Sequence, residues 1–217
     1  MHYIFPMLAV LSWAGNTVIT KMSADSIEPT EIGFYRWLFA GLLLTPFVLR
    51  QTLRNWQVIR PALGRIFIMG TLGMAMFQTL MYFAAEYTSA SNIGFIQALI
   101  PAMSLLLAML VLGQRLNMAA VIGAATAFVG VLLVVTGGQP GYLLEQGMNR
   151  GDLLMVLAVA SYALYSTLLK HWPVAIPALQ MLYLQMLVAI AVQFPLFLLD
   201  STWKTSRWWP MPAWLHP

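Results

Sequence analysis

Residues 93–112 read IGFIQALIPAMSLLLAMLVL, an unbroken run with no charged side chain. A helix rising about 1.5 Å per residue needs roughly 20 residues to cross a hydrocarbon core about 30 Å thick. Lipid offers no partners to backbone N–H and C=O groups, so only helices and closed barrels span it. Barrel strands alternate apolar and polar residues over about 10 positions, and 105–112 (LLLAMLVL) does not alternate. The stretch is therefore predicted to be a membrane-spanning helix. Working outward, the same criterion picks out 3–22, 32–49 and 66–85 before it, and 118–136, 152–169 and 179–199 after it. Charged residues make up only 8% of the chain and apolar residues 60%, against about 25% charged in a soluble domain. The expected class is all-α, a polytopic membrane protein with about seven transmembrane helices.

Charge placement gives an orientation. Arg50, Arg54, Arg60 and Arg65 gather in the second connection, whereas the first holds Asp25, Glu28 and Glu31. The positive-inside rule places the second connection and the N-terminus in the cytoplasm. Arg115 and Lys170 then fall inside as well; Lys21, Arg150, Lys204 and Arg207 are exceptions on the outer side. The net charge of +4 thus reflects topology, and no nucleic-acid partner is expected. Met1 and His2 supply no firm positive region for a signal peptide, so 3–22 reads as a retained first span. With no cysteine there is neither a disulfide framework nor a thiolate metal site, and no cofactor is expected.

Residues 8–21 (LAVLSWAGNTVITK) align without a gap on 157–170 (LAVASYALYSTLLK), offset by 149 positions. Leu8, Ala9, Val10, Ser12, Ala14 and Lys21 recur identically, Trp13 is matched by Tyr162 and Thr17 by Ser166; the same offset pairs Pro46 with Pro195. Such a register points to an internal repeat. Because the offset covers five spans, the second copy crosses in the opposite sense, an arrangement that lets two halves exchange inward-open and outward-open shapes. The expected organisation is a first five-helix repeat over 3–136, a glycine-rich outer linker over 137–151, a partial second repeat over 152–199 and an atypical Trp/Pro-rich tail over 200–217. On this reading the second repeat is cut short, in preference to a natural seven-helix product, and association, a homodimer included, could complete the fold.

The segment 86–116, EYTSASNIGFIQALIPAMSLLLAMLVLGQRL, resembles the EamA-type branch of the drug/metabolite transporter superfamily. There a Tyr-Thr-Ser-Ala-like turn leads into a fourth helix with a central proline and ends at Gly-Glu-Arg. Tyr87–Ala90, Pro101, Gly113 and Arg115 match this pattern, while Gln114 stands in place of the glutamate. The segments Ser12–Asn16 (SWAGN), Arg36 with the apolar residues after it, and Gly151–Tyr165 resemble further parts of the family pattern. The resemblance implies ten helices as two inverted five-helix units. It also implies transport of metabolites, often outward, through a central cavity in the inner membrane.

Read from the residues themselves, Ala90, Gly94, Ala98 and Ala102, and Ala119, Gly123 and Ala127, form small-residue ladders suited to close helix packing. Polar groups within spans are costly and mark a pathway: Asn16, Gln78, Gln97 and Gln185. Pro101 removes a backbone donor one turn after Gln97. Trp13, Tyr162 and Tyr165 are candidate aromatic walls of the same cavity, whereas Tyr82 is assigned to an interfacial belt. A small neutral or zwitterionic solute suits this set. Arg36 is expected to form a structural pair with Glu86, and Lys21 and Lys170 to anchor at the interface. No carboxylate lies deep in a span, which disfavours a proton relay, and no nucleophile–base pair supports an enzyme. A retinal protein would need a lysine within 179–199, and a receptor of the G-protein-coupled type would begin outside. A non-transporting fragment remains the alternative to a transporter.

Overall fold

The computed structural model describes residues 4–23, 28–114, 117–136, 138 and 149–206. Among them every regular element is helical: α1 (Ile4–Ser23), α2 (Pro29–Arg54), α3 (Trp56–Tyr87), α4 (Ala90–Leu112), α5 (Met118–Val135), α6 (Arg150–His171) and α7 (Ala178–Ser206). Six of these are long and apolar enough to cross a membrane. The remaining one, α1, is 20 residues long and carries Asn16, Thr17, Thr20 and Lys21 in its second half. The chain is thus a polytopic, all-α, multi-pass membrane protein.

Local chemistry sets the boundaries. Pro29 occupies the first turn of α2, where its missing N–H is no loss. Ser89, Asn117 and Asn149 cap α4, α5 and α6 by accepting from the backbone N–H of Asn92, Ala120 and Gly151, which satisfies donors left free at a helix start. Gly113 ends α4 in the left-handed region, at φ 63°, the usual place for glycine. Two spans are irregular. Helix α4 breaks at Ala98–Leu99, just before Pro101, which offers no N–H to the Gln97 carbonyl. Helix α3 has a 3₁₀ turn at Arg60–Ala62 and a π-helical stretch at Thr71–Met76.

The second connection, which the spans 32–49 and 66–85 left outside the membrane helices, is itself helical. Helix α2 runs to Arg54 and α3 starts at Trp56, so only Asn55 separates them. Pro46 lies within α2 without ending it, and Ile59, Ala62 and Ile66 find a buried place against Leu168 and Leu184. Of the 137–151 linker only Gly138 and the last three residues are described, and 207–217 lie outside the described residues.

Helix α7 lies along α2, and α6 packs across α3 and α4. Phe34 meets Phe194 and Thr45 meets Tyr183, so α2 and α7 are antiparallel. The central core joins Phe77, Met81 and Ala85 of α3 to Ile93 and Ile96 of α4 and Met155 and Val159 of α6. The small-residue ladders pack only in part: Ala102 is buried and Ala127 meets the central core. A Cβ at Gly94 or Gly123 would meet no atom within 4 Å, and no residue of α5 is buried. Apolar solvent gives a small-residue face no hydrophobic reason to be covered, so spacing alone did not fix its neighbour.

Candidate functional site

Between α1, α4 and α6 lies a cavity of about 620 Å³. Helix α1 contributes Val10, Trp13, Ala14, Thr17 and Val18, α6 contributes Tyr162, and α4 contributes Gln97, Ile100 and Pro101 together with Ala90, Ser91, Gly94 and Ala98. Three of the four residues of the first ladder, Ala90, Gly94 and Ala98, therefore serve as a cavity wall, their small side chains leaving room there. No lining side chain is charged. Trp13 and Tyr162 meet edge to face, with ring centroids 6.0 Å apart and planes at 65°, an arrangement favoured by the ring quadrupoles. Tyr162 continues the aromatic contacts to Phe77 and Tyr165. Gln97 directs Nε2 at the Met81 sulfur, 3.2 Å away. Four of the residues singled out in the sequence, Trp13, Gln97, Pro101 and Tyr162, thus share one space.

Asn16 and Gln78 belong to a polar knot centred on Arg36. Its Nη1 donates to Asn16 Oδ1 at 3.1 Å, to Gln78 Oε1 at 3.4 Å and to the Tyr82 hydroxyl at 2.8 Å. These bonds join α1, α2 and α3. The expected pair with Glu86 is not formed among the described residues: Glu86 is exposed at the end of α3, while the guanidinium turns to acceptors deeper in the bundle. Tyr82 is buried in this knot and is not an interfacial residue. Lys21 ties the end of α1 to α3 by donating to the Ala85 carbonyl at 2.6 Å.

Tyr165 and Gln185 form a second knot, the tyrosine donating to Gln185 Oε1 at 3.1 Å. Gln185 is 1% exposed, and its Nε2 has no hydrogen-bond partner. The Tyr165 ring covers Gly73 so closely that a Cβ there would lie 2.5 Å from it. Gly73 sits in the π-helical stretch, where the shift in hydrogen bonding leaves carbonyls open to other donors. Ser161 donates to the Leu72 carbonyl at 3.2 Å, and Gln193 to the Ala75 carbonyl at 3.4 Å and to Thr79 at 3.0 Å. A single distorted segment of α3 is thereby bonded to both α6 and α7.

Several contacts had no signal in the sequence. Asp152 is 4% exposed, and its Oδ1 accepts from Thr88 and Asn92. A carboxylate is thus buried at the start of α6, clasped by the turn between α3 and α4. Asn149 adds a bond to the Tyr87 carbonyl at 2.6 Å. At the opposite end Asn55 donates to Gln180 at 2.9 Å. Among the described residues no group of His, Cys, Asp and Glu is arranged to hold a metal ion.

The model of the EamA-like transporter family matches residues 1–136. The uncharacterized transporter YyaM of Bacillus subtilis is 27% identical over 151 residues, covering 69% of this chain and 49% of that protein. An uncharacterized transporter of Archaeoglobus fulgidus is 26% identical over 168 residues, covering 74% and 54%. The S-adenosylmethionine uptake transporter of Rickettsia conorii is 23% identical over 211 residues, covering 95% and 65%. The chain spans about half to two thirds of the length of these relatives. No solved structure matches it.

Proposed function

Because the chain belongs to the EamA-like transporter family, which matches 136 of its 217 residues, we propose that it carries small organic metabolites across the bacterial inner membrane. Amino acids and related solutes are the substrate class. The solute passes through the cavity between α1, α4 and α6, and alternating access comes from rocking of two inverted repeats. The N-terminus is cytoplasmic, and the working direction is export. The relatives named for S-adenosylmethionine uptake would run the other way, so direction is part of the test.

One observation carries this reading. Trp13 and Tyr162 hold equivalent positions in the two sequence copies, and they meet at the wall of one cavity. Residues related by an inverted repeat approach each other only near the pseudo-two-fold axis, which is where such transporters bind solute. Gln97 adds an amide, and Pro101 offers no N–H to the Gln97 carbonyl, in a mainly apolar space that also holds Thr17 and Ser91, the mix expected of a small-molecule site.

Proteoliposomes containing the protein and preloaded with mixed unlabelled amino acids provide the test. Saturable counterflow of labelled amino acid, lost in Gln97→Leu at equal reconstituted protein, is the expected outcome. Loss of protein in step with loss of flux would assign Gln97 to packing instead. Flux equal to that of empty liposomes would remove the transporter reading for this chain. Loading one side only and comparing initial rates reads the direction.

A further inference from the structure

The offset of 149 residues that relates Trp13 to Tyr162 also relates Asn16 to Tyr165 and Arg36 to Gln185. Arg36 donates to Asn16, and Tyr165, the counterpart of Asn16, donates to Gln185, the counterpart of Arg36, each at 3.1 Å. The packing of α2 on α7 follows the same correspondence. Phe34 meets Phe194 and its counterpart Tyr183 meets Thr45, the counterpart of Phe194. Gly41 faces its own counterpart, Ile190, a Cβ there lying 3.1 Å from the Ile190 side chain. The Arg36 knot and the Gln185 knot are therefore one site seen twice, near opposite ends of the bundle.

The comparison isolates the charge. In the second knot a neutral amide joins the first and second helices of its repeat, so the joint itself does not require a cation. In the first knot every hydrogen-bond acceptor of Arg36 is a neutral oxygen, and all of them lie on Nη1; its other contact is the Trp37 ring, 5.3 Å from the guanidinium carbon. Among the described residues no carboxylate pairs with it, and Nε and Nη2 make no hydrogen bond. These two nitrogens form the edge of the guanidinium that receives a carboxylate side-on, through two parallel bonds. A cation inside a span is costly without a counter-ion and marks a functional position. The knot stands beside the cavity without forming part of its wall. Asn16 lies between the cavity residues Trp13 and Thr17 on α1, and Gln78 and Tyr82 flank Met81, the partner of Gln97, on α3.

We propose that Arg36 is a specificity-determining residue of the pathway, and that the solute carries a carboxylate which binds the Nε–Nη2 edge. The Nη1 contacts to Asn16, Gln78 and Tyr82 hold that edge in place. This assignment rests on the reading of the cavity as a solute path. Zwitterionic amino acids and organic acids fit it; wholly neutral or cationic solutes do not.

Three probes of one shape test the charge requirement: benzoate, benzamide and benzamidine, titrated against the protein in nanodiscs by isothermal calorimetry. Benzoate is expected to bind about tenfold tighter than benzamide, equivalent to about 1.4 kcal/mol, with benzamidine weakest. Arg36→Gln, which gives the first knot the side chain of the second, should fold and bring benzoate to the affinity of benzamide. Arg36→Lys should keep part of the preference, because the charge remains while the bidentate edge is lost. Equal binding of benzoate and benzamide by the native protein, no benzoate binding at all, or a preference that survives Arg36→Gln would each overturn the assignment. Collapse of Arg36→Gln on thermal unfolding would overturn it too, since the charge would then be structural. An Arg36-dependent preference in a protein without counterflow would refute the transporter reading alone. Counterflow without that preference would refute only the anion site.

Discussion

The indole of Trp13 and the phenol of Tyr162 stand 6.0 Å apart, edge to face, although 149 residues separate them in the chain. Each also lines the cavity, so the contact joins the first helix to the sixth at the cavity wall. Aromatic pairs of this kind contribute about 0.5–1.5 kcal/mol beyond their buried area. A double-mutant cycle of Trp13→Ala and Tyr162→Ala, followed by unfolding in detergent, should return a coupling in that range. Counterflow should fall in both single variants and be retained in Tyr162→Phe, which keeps the ring. Additive stability effects would show that the rings are only neighbours.

Gly73 is predicted to tolerate no side chain. Its Cβ would lie 2.5 Å from the Tyr165 ring, and the ring is held by its bond to Gln185. Gly73→Ala should therefore cost about 1–3 kcal/mol, the usual range for overpacking. Adding Tyr165→Ala should recover part of that loss by opening the space. Thermal unfolding of the two variants in detergent reads both effects. A neutral Gly73→Ala would mean that the π-helical stretch relaxes freely.

The clasp at the start of α6 gives a third expectation. Asp152→Ala leaves the Thr88 hydroxyl and the Asn92 amide without their acceptor, and a lost partner for a buried polar group costs about 1–3 kcal/mol. Amide hydrogen exchange should rise locally over residues 84–92 and 149–155. Asp152→Asn, which keeps one acceptor oxygen, should change exchange less. Uniform exchange across the bundle would place the loss elsewhere.

Orientation is open to direct labelling because the chain contains no cysteine. Gln57 and Glu86 are both exposed, at opposite ends of α3. Glu86→Cys should react with a membrane-impermeant maleimide on intact cells, and Gln57→Cys only after permeabilisation. The reverse pattern would invert the topology.

Hydropathy located every helix within a few residues except at the second connection and at the end of α7, which runs on to Ser206. At that connection the arginines that signal topology also belong to helices, Arg50 and Arg54 to α2 and Arg60 and Arg65 to α3. The repeat is read from side-chain identity at fixed spacing, from Leu8 to Lys21 and again from 157 to 170. Trp13, Gln97, Pro101 and Tyr162 were legible as pathway candidates because polar and aromatic groups stand out against an apolar background. Asp152 was not. Its position in the chain is that of an interfacial residue, and only the approach of the Thr88 turn buries it.

The sequence by itself determined that this chain is a helical membrane protein and where its spans lie. Those properties are sums over adjacent residues, fixed by the thickness of the bilayer and the cost of an unpaired backbone group in lipid. Tertiary structure alone decided partners. It turned Arg36 from Glu86 toward Asn16, Gln78 and Tyr82, opened the small-residue face of α4 onto a cavity, and aligned the Arg36 and Gln185 knots. Each of these depends on how a helix is rotated about its axis and which helix stands beside it. In lipid the hydrophobic effect does not select between apolar faces, so close packing and a few buried hydrogen bonds make that choice.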